Sequence, residues 1–268
     1  MPSCKRIDVF RVTSFNANGI RAAARKGFFT WLRHESPDVL CIQETKAHVH
    51  QIPPEALALD EYAYAYVDAT KKGYSGVAIY AKRPPDAIVR GLGMPDMDAE
   101  GRYLRFDWGD FSVASLYVPS GTSGPLRQSV KNDFLERFVA TLAAMRHDGR
   151  RYIVCGDFNI ARRDIDTFDP IRNARVTGFL PNERAWFDTV VEDVGWIDAF
   201  RVVDTEPHRY TWWSNFAGAF ENNRGWRIDY QLVTPDLADS VRAATIYSAE
   251  RFSDHAPLTI DYDLTFAD

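Results

Sequence analysis

The chain has 268 residues, of which 46% are hydrophobic and 26% charged, and its formal net charge is -5 at pH 7. This size allows one large core and fits one large domain or two small ones. No apolar run approaches the roughly 20 residues that span a bilayer, and no apolar stretch follows the basic first residues as in a signal peptide. The composition therefore argues against a membrane protein and predicts a soluble, cytoplasmic protein.

The three cysteines predict no metal centre and no disulfide framework. Cys4, Cys41 and Cys155 are odd in number and far apart, and no Cys-x-x-Cys pair is present. Cys41 and Cys155 each lie inside an apolar run, which is typical of small buried side chains in a reducing compartment. A structural zinc site is therefore not expected.

The negative net charge at first counts against a nucleic-acid partner, but the distribution of charge matters more than its sum. Basic residues gather in a few short segments: Arg21/Arg25/Lys26, Lys71/Lys72, Arg162/Arg163, Arg172/Arg175 and Arg224/Arg227. Any one of these is explained by ordinary solvated surface. Several of them, however, fall in loops beside the motifs described below, which favours an anionic partner.

In chain order, short runs of branched and aromatic residues alternate with amphipathic stretches. The runs predict strands at Arg11–Phe15, Val39–Gln43, Gly76–Tyr80, Tyr103–Trp108, Phe111–Tyr117, Tyr152–Cys155, Ile228–Val233 and Leu258–Tyr262. Helical spacing of apolar residues predicts helices at Gly27–His34, Ser129–Met145 and Glu183–Glu192. The segment Trp108–Phe111 predicts a hairpin turn. We expect an α/β protein with antiparallel pairs in its sheets, and, without linker or repeat, a single domain over residues 1–268.

Five predicted strands are followed directly by polar residues that can bind metals or move protons. These places are Ser14–Gly19, Ile42–Thr45, Leu116–Pro119, Gly156–Asn159 and Ser253–Pro257. Ligand sites in layered α/β folds form beyond strand ends, where neighbouring strands deliver their loops to one rim. The residues could therefore converge although they are scattered along the sequence.

Each of these places also has a purely structural interpretation. Glu44 could end a strand and cap the next element, and Asp157–Asn159 could be a turn. Tyr117 could be a half-buried strand aromatic, and Asp254–His255 a surface pair. Five such places, each at the end of an apolar run, are hard to explain as turns alone.

The residue types indicate transfer of a phosphoryl group to water. A phosphodiester is anionic, so its hydrolysis requires charge neutralisation, an activated water and stabilisation of the leaving oxygen. Carboxylate and carboxamide oxygens suit Mg²⁺ or Mn²⁺, whereas zinc would favour Cys and several His. His255 follows the carboxylate of Asp254 directly, which favours an acid–base role for its imidazole.

An ordered series of motifs resembles the exonuclease III-type AP endonucleases of the endonuclease/exonuclease/phosphatase superfamily. The motifs run through nearly the whole chain: Phe15–Arg21, Ile42–Lys46, Gly73–Val77, Tyr117–Pro119, Gly156–Asn159, Phe179–Arg184, Tyr210–Trp213, Gly225–Tyr230 and Ser253–Leu258. The Gly-Asp-x-Asn and Ser-Asp-His elements alone would indicate only the superfamily. The resemblance implies a four-layer α/β sandwich, with two packed mixed β-sheets flanked by helices.

The resemblance also implies a Mg²⁺ site, in which Mn²⁺ can substitute. Glu44 would be the main ligand, helped by Asn16 and Asp254, and a second metal position would involve Asp157 and Asn159. Some relatives carry an Asp where Asn18 stands in this chain. With Asn at this place, metal binding should rest more heavily on Glu44 and Asp254, and a second metal is less secure.

Catalytic roles follow from the same resemblance. Tyr117 would contact the scissile phosphate, and Asn159 would hydrogen-bond it and stabilise the transition state. Asp157 would orient or deprotonate the water, or protonate the leaving group, and the sequence does not decide between these roles. Asp229 would orient His255, which would contact the phosphate or act as a base. A carboxylate held against an imidazole fixes its tautomer and raises its pKa.

Three apolar residues fall where the family builds a pocket for a flipped-out abasic sugar: Trp212, Trp226 and Ile228. Such a pocket would exclude a nucleotide that keeps its base. The alternative is core packing, because most tryptophans are structural, and this applies best to Trp213. Gly178 would leave the approach to the pocket open, which mildly favours endonuclease action.

The resemblance makes duplex DNA with abasic sites or blocked 3′ ends the expected partner, bound by a monomer with no membrane contact. Backbone contacts and a minor-groove wedge are expected from Arg21, Arg25, Lys26, Lys71, Lys72, Arg175 and, as the wedge, Tyr74. Cleavage 5′ to an abasic site, which leaves a 3′-hydroxyl, is the predicted reaction, with 3′→5′ exonuclease and 3′-phosphatase or 3′-phosphodiesterase activity alongside. A mainly 3′→5′ exonuclease is the alternative. A superfamily phosphatase or phospholipase, or a non-catalytic binding module, fits the motifs less well.

Overall fold

The computed structural model describes residues 9–216 and 218–264. The strands are β1 (Val9–Asn16), β2 (Val39–Gln43), β3 (Ala63–Val67), β4 (Val77–Ala81), β5 (Ala87–Arg90), β6 (Tyr103–Trp108), β7 (Phe111–Tyr117), β8 (Arg151–Asp157), β9 (Ile197–Asp198), β10 (Trp212–Trp213), β11 (Gly225–Trp226), β12 (Asp229–Val233), β13 (Val241–Ile246) and β14 (Leu258–Asp263). The helices are α1 (Ile20–Arg25), α2 (Phe28–Glu35), α3 (Pro54–Leu57), α4 (Pro95–Asp98), α5 (Pro125–His147), α6 (Pro170–Asn173), α7 (Pro181–Asp188) and α8 (Ala199–Val203). Short 3₁₀ turns and one π turn, Thr189–Asp193, complete the assignment.

The strands form two six-stranded mixed sheets of the same design. One sheet has the order β13-β14-β1-β2-β4-β3 and the other β5-β6-β7-β8-β12-β9. Each contains one central parallel pair, β1 with β2 and β7 with β8, and the other neighbours are antiparallel. Strands β10 and β11 make a separate two-stranded ribbon.

The inner faces of the two sheets share one apolar core, and helices cover the outer faces. Val12 and Ile79 of the first sheet pack with Val113 and Ile153 of the second. Residues of α1, α2 and α3 cover the first sheet, and residues of α5 and α7 cover the second, as Phe138 of α5 does. Burying such a side chain contributes about 2 kcal/mol. The predicted four-layer α/β sandwich of two mixed sheets is confirmed.

The predicted strands that are buried on both faces were found because their sequences are nearly continuous apolar runs. Every residue of β2, β4 and β7 is buried. Strands β3, β5 and β13 were not predicted. They are edge strands whose residues are mostly exposed or half-buried, so they lack the continuous apolar runs of the inner strands. The hairpin turn at Trp108–Phe111 joins β6 and β7 as expected.

All three predicted helices were found: that predicted at Gly27–His34 is α2, which has the same length and is shifted by one residue, and the other two differ at their ends. The helix predicted at Ser129–Met145 is α5, which begins earlier at Pro125, because Pro suits the first helical turn. The helix predicted at Glu183–Glu192 is α7 continued by the π turn. Cys41 and Cys155 are free and fully buried, as predicted, and Cys4 lies outside the described residues. Among the described residues, no helix has the length and apolar character needed to cross a membrane.

Candidate active site

Strand directions bring the predicted site residues to one edge of the sandwich. In a parallel pair, both strands end at the same edge, so Asn16 of β1 lies beside Gln43 of β2, and Tyr117 of β7 beside Asp157 of β8. Strand β12 runs antiparallel to β8, which places its first residue, Asp229, opposite Asp157. The segment before β14 reaches the same edge, because β14 is antiparallel to β1.

A cleft of about 610 Å³ opens at this edge. Its walls are formed by Asn18, Glu44, Lys46, Lys71, Tyr74, Glu100, Tyr117, Ser120, Thr122, Ser123, Arg127, Asp157, Asn159, Val176, Thr177, Gly178, Trp212, Trp226, Ile228, Asp254 and His255. Four of the five catalytic residues predicted from the sequence line the cleft, and the fifth, Asp229, lies behind His255. Of the predicted metal ligands, Glu44 and Asp254 line it, and Asn16 is fully buried beneath it.

Asn16 joins the two sheets at the floor of the cleft. Its side-chain amide donates to Glu44 Oε1 at 2.9 Å and to Asp157 Oδ2 at 2.8 Å. The side-chain oxygen of Asn16, Oδ1, accepts the backbone N–H of Asn18 at 2.9 Å, and this bond closes a tight turn after β1. A carboxylate from each sheet is therefore held within reach of the other by one buried carboxamide.

Four cleft residues other than Gly have left-handed backbone conformations: Asn18 with φ 43°, Glu44 with φ 51°, Lys46 with φ 48° and Asn159 with φ 53°. This region is unfavourable for side chains other than Gly, and least so for Asn. For Glu44 the strain costs about 1–2 kcal/mol. The hydrogen bond from Gly19 N to Glu44 O, 2.8 Å, helps to hold the turn. The strained backbone lets Glu44 leave the buried strand β2 and point into the cleft.

His255 is held between two buried carboxylates. Its Nδ1 lies 2.9 Å from Asp229 Oδ2, and its Nε2 lies 3.9 Å from Asp157 Oδ2. Burial by itself lowers the pKa of His255, but the Asp229 carboxylate outweighs this effect and raises the pKa to about 10. The imidazole is therefore protonated at neutral pH and presents a positively charged N–H at the cleft.

Asp157 experiences the opposite environment. Burial raises the pKa of its carboxyl to about 7; the charge of His255 opposes the rise, while Asp229 and Glu44 add to it. Its Oδ1 accepts the backbone N–H of Asn159 at 2.8 Å. The site thus contains a carboxyl that changes protonation near neutral pH beside an imidazole that stays charged.

Glu44 and Asp254, the two carboxylates predicted to bind the metal, are held in the ionised form. Burial would raise the pKa of Glu44, but the Lys46 ammonium, 2.6 Å from its Oε2, keeps that pKa below its usual value. Burial would likewise raise the pKa of Asp254, and the charge of His255 with hydrogen bonds from Asn18 and Trp212 lowers it instead.

Tyr117 and Asn159 complete the polar wall. The pKa of Tyr117 lies well above its usual value because the ring is buried beside Glu44 and Asp157, so the hydroxyl stays protonated. Its carbonyl oxygen accepts a bond from the guanidinium of Arg102 at 2.9 Å, and this guanidinium lies over its ring. The Asn159 amide donates to Val118 O at 2.9 Å.

The donor atoms could hold a metal ion. One atom each from Glu44, Asp157 and His255 lies within 4.8 Å of the others. Asp254 is not part of this group, and its oxygens accept bonds from Asn18, Ser253 and Trp212. Because the imidazole is protonated at neutral pH, the donors of this group that can bind a cation are the carboxylates of Glu44 and Asp157, and oxygen donors suit Mg²⁺ or Mn²⁺.

The apolar wall consists of Trp212, Trp226 and Ile228, packed with buried Phe179 and Ala161. Trp212 on β10 pairs with Trp226 on β11, and their rings meet at 80° with centroids 6.4 Å apart. Both tryptophans are only partly buried and line the cleft. Trp226 lies in the short strand β11.

Only some of the residues predicted to contact DNA line the cleft. Lys71 and Tyr74 line the cleft, and the hydroxyl of Tyr74 is bonded by Arg102 and Arg127. The other five predicted DNA-contacting residues are exposed but do not line the cleft: Arg21, Arg25, Lys26, Lys72 and Arg175. Two cationic cleft residues, Lys46 and Arg127, had no role assigned from the sequence. Lys46 stood in the motif Ile42–Lys46, whereas nothing in the sequence marked Arg127.

Comparison with known proteins agrees with this geometry. The model of the Endonuclease/Exonuclease/phosphatase family matches residues 13–255, and the chain belongs to this family. A zebrafish (Danio rerio) protein named DNA repair nuclease APEX1 is 34% identical over 93% of this chain and 81% of its own length. An exodeoxyribonuclease of Bacillus subtilis is 34% identical over 93% of this chain and 98% of its own length.

A solved structure agrees in three dimensions. The AP endonuclease from Archaeoglobus fulgidus superimposes with a TM-score of 0.86 at 27% identity, over 95% of this chain and 100% of that one. These findings confirm the resemblance to exonuclease III-type AP endonucleases that the sequence motifs indicated.

Proposed function

We propose that this protein is a DNA-repair hydrolase that cleaves the phosphodiester 5′ to an abasic site in duplex DNA and leaves a 3′-hydroxyl. The observation that carries the proposal is the cleft itself. A charged imidazole and convergent carboxylates form one wall, and a half-buried pair of tryptophans forms the other. Relatives named as a DNA repair nuclease and an exodeoxyribonuclease support it.

Mg²⁺, which Mn²⁺ can replace, is the proposed cofactor. Glu44 would be the principal ligand, with Asn16 and Asp254 nearby, and Asp157 and Asn159 would serve a second position. The ionised, strained Glu44 and the cluster of donor atoms around it support this assignment. The bound ion would neutralise phosphate charge and lower the pKa of water. A competing cation, the Lys46 ammonium, lies against Glu44 Oε2.

His255 is the proposed phosphate contact. With Nδ1 held by Asp229, its charged Nε2–H faces the cleft and can donate to a non-bridging phosphate oxygen. Because its pKa is about 10, the imidazole is a poor base at neutral pH and a good hydrogen-bond donor. This favours phosphate binding over the base role that the resemblance also allowed.

Asp157 is the proposed proton acceptor or donor. Its carboxyl is buried, lies 3.9 Å from the imidazole and has a pKa of about 7, which is suited to proton transfer near neutral pH. Deprotonation of an attacking water and protonation of the leaving oxygen both remain open to it. The hydroxyl of Tyr117 and the amide of Asn159 stand on the same wall and can donate to the phosphate as negative charge develops.

The substrate preference is proposed to come from Trp212, Trp226 and Ile228. An apolar recess accepts a bare deoxyribose, whereas a nucleotide that keeps its base must fit a larger ring into the same space. A mainly 3′→5′ exonuclease is the second candidate, and the name of the Bacillus subtilis relative favours it. In both cases the proposed form is a single-domain monomer acting in the cytoplasm on the DNA of the nucleoid.

The wild-type protein should incise a labelled duplex with one synthetic abasic site when Mg²⁺ or Mn²⁺ is present, and EDTA should abolish the activity. A gel that also carries an intact duplex and a recessed-end duplex measures the endonuclease and exonuclease rates together. Faster shortening of the recessed end than incision would favour the second candidate. No cleavage of either DNA with either metal would refute the proposal.

Trp226→Ala should impair incision of abasic DNA more than removal of nucleotides from a recessed end. The substitution opens the apolar wall next to Ile228, so a bare sugar loses contacts, whereas a base-bearing nucleotide gains room. We expect kcat/KM for the abasic duplex to fall about 10- to 100-fold, since burying an aromatic ring on a ligand contributes about 1–3 kcal/mol.

Trp213→Phe serves as the control for this experiment. Trp213 is the neighbour of Trp212 but is 5% exposed and packs with Tyr210 and Ala256 away from the cleft. Its substitution should lower stability and leave the ratio of the two rates unchanged. An equal loss on both substrates in Trp226→Ala would contradict the assignment of the pocket.

A further inference from the structure

Lys131 is a lysine in a place that normally holds an apolar residue. It lies on α5 one turn before Phe134 and Leu135, which face the core, and it is fully buried. Removing an ammonium from water is costly unless partners compensate for the lost hydration. The partners that Lys131 contacts therefore indicate what the buried charge does.

The Lys131 ammonium joins two segments that meet at the cleft. Its Nζ donates to Glu183 Oε1 at 2.5 Å and to the backbone oxygen of Asn159 at 2.8 Å. Glu183 is also fully buried. It is the first-turn acid of α7, so its contacts reach the chain that precedes this helix.

Glu183 holds the segment before α7 through its other oxygen. Oε2 accepts the backbone N–H of Gly178 at 2.6 Å and that of Leu180 at 3.0 Å. Gly178 lines the cleft, and its carbonyl oxygen accepts the N–H of Ala161 at 2.8 Å. The fit is tight, because a Cβ on Gly178 would lie 3.1 Å from Asn159 O and 3.3 Å from the Trp226 ring.

Asn159 is thereby held by four hydrogen bonds. Its N–H donates to Asp157, its side-chain amide donates to Val118 and to Asp157, and its carbonyl oxygen accepts from Lys131. A positive φ of 53° would relax if one of these contacts were lost. The bond from Lys131 links Asn159, through Glu183, to Gly178.

We propose that Lys131 and Glu183 are a positioning pair that fixes the Asn159 amide relative to Gly178. The phosphate contact at Asn159 and the sugar pocket beside Gly178 then keep a constant relative position. This inference rests on the proposed function, in which Asn159 stabilises the transition state. The pair touches no substrate; it acts through Asn159 and Gly178. Buried ion pairs are weak contributors to stability compared with apolar residues of similar volume, which is consistent with a positioning role.

The test separates positioning from stability by removing the charges together. Lys131→Met deprives the Asn159 carbonyl of its donor and leaves Glu183 unpaired. The double variant Lys131→Met/Glu183→Gln removes both charges of this pair. The carboxamide oxygen of the new Gln side chain can still accept the N–H groups of Gly178 and Leu180. We expect the double variant to recover thermal stability relative to Lys131→Met, while kcat per folded molecule stays about 100-fold low, the cost of a small misplacement at a reacting centre.

The abasic duplex assay measures kcat and KM for each variant, with the folded fraction taken from near-UV circular dichroism at the assay temperature. KM should change by less than about threefold, because the missing interaction belongs to the transition state. If Lys131→Met does not fold, the double variant alone decides. Recovery of wild-type kcat together with stability in the double variant would overturn the proposal, as would a wild-type kcat in Lys131→Met.

Arg105→Met is the matched control. Arg105 pairs with Asp107 at 2.8 Å, and it lies in the middle of β6 opposite Ala114, three residues from Tyr117 along β7; it does not line the cleft. Its removal should lower the Tm and leave kcat unchanged. Failure of the wild-type protein to cleave DNA would reject the proposed function. If the wild-type protein cleaves DNA and the Lys131 and Glu183 variants have the same kcat, only the positioning pair would be rejected.

Discussion

Asp157→Asn is expected to lower kcat for abasic-site incision by about 10²- to 10⁴-fold, the usual contribution of a positioned proton-transfer group. The carboxamide keeps one oxygen, which can accept the Asn159 N–H as Asp157 Oδ1 does, so the loop should stay in place; its NH2 group replaces the Oδ2 that accepts from Asn16. What is lost is the group that can accept or release a proton beside His255. Single-turnover kinetics on an abasic duplex measure the effect.

The same substitution should leave the Tm at or above the wild-type value in metal-free buffer. Asp157 lies close to Glu44 and Asp229, and a neutral side chain removes this repulsion of like charges. Groups that catalysis requires are commonly unfavourable for stability. Scanning calorimetry in EDTA gives the Tm, and a fall of several degrees would mean that the lost activity reflects a damaged fold.

Asp107→Asn provides the comparison. Asp107 is 8% exposed and bonds to Arg105 and Ser112, at the end of β6 remote from the cleft. The Asp107→Asn variant should have a lower Tm and an unchanged kcat, whereas Asp157→Asn should have an unchanged or higher Tm and a lower kcat. A kcat for Asp157→Asn within about tenfold of wild type would contradict the proposed role of this carboxyl.

Glu44→Gln is the second change with a large expected effect. The carboxylate is the proposed main metal ligand, and the amide would place a donor against the Lys46 ammonium. We expect the Mg²⁺ concentration for half-maximal activity to rise by about 10- to 100-fold. Calorimetric titration of Mn²⁺ into the DNA-free protein should show a matching loss of Mn²⁺ affinity. This measurement does not depend on turnover.

Glu100→Gln tests whether any acid in the cleft would behave in this way. Glu100 lines the same cleft, but its carboxylate is paired with Arg102 and Arg127. Its substitution should leave the metal requirement unchanged. Equal metal dependence in wild type and Glu44→Gln, with normal Mn²⁺ affinity, would remove Glu44 from the proposed metal site.

The sequence alone was sufficient for the inner strands and for the places where chemistry collects. Strands β2, β7 and β8 are buried on both faces, so their residues form apolar runs that end abruptly at Glu44, Pro119 and Asp157. The order of the motifs was specific enough to indicate the family, and the comparisons confirmed it. Edge strands escaped prediction because their residues are mostly exposed or half-buried.

Only the tertiary structure decided which side chains act on one another. The turn at Glu44 is left-handed although Glu does not favour that conformation, so its direction could not be inferred from residue type. The charge of His255 depends on Asp229 and Asp157, which are 26 and 98 positions earlier in the chain.

Lys131 illustrates the same limit most clearly. In the sequence it interrupts the apolar face of a helix, which is typical of a solvent-exposed position, and only the packing of α5 against α7 shows that it is buried against Glu183. Local patterns report whether a side chain is suited to the interior or to water. The partner that makes a buried charge tolerable is fixed by contacts between distant segments, and these exist only in the folded chain.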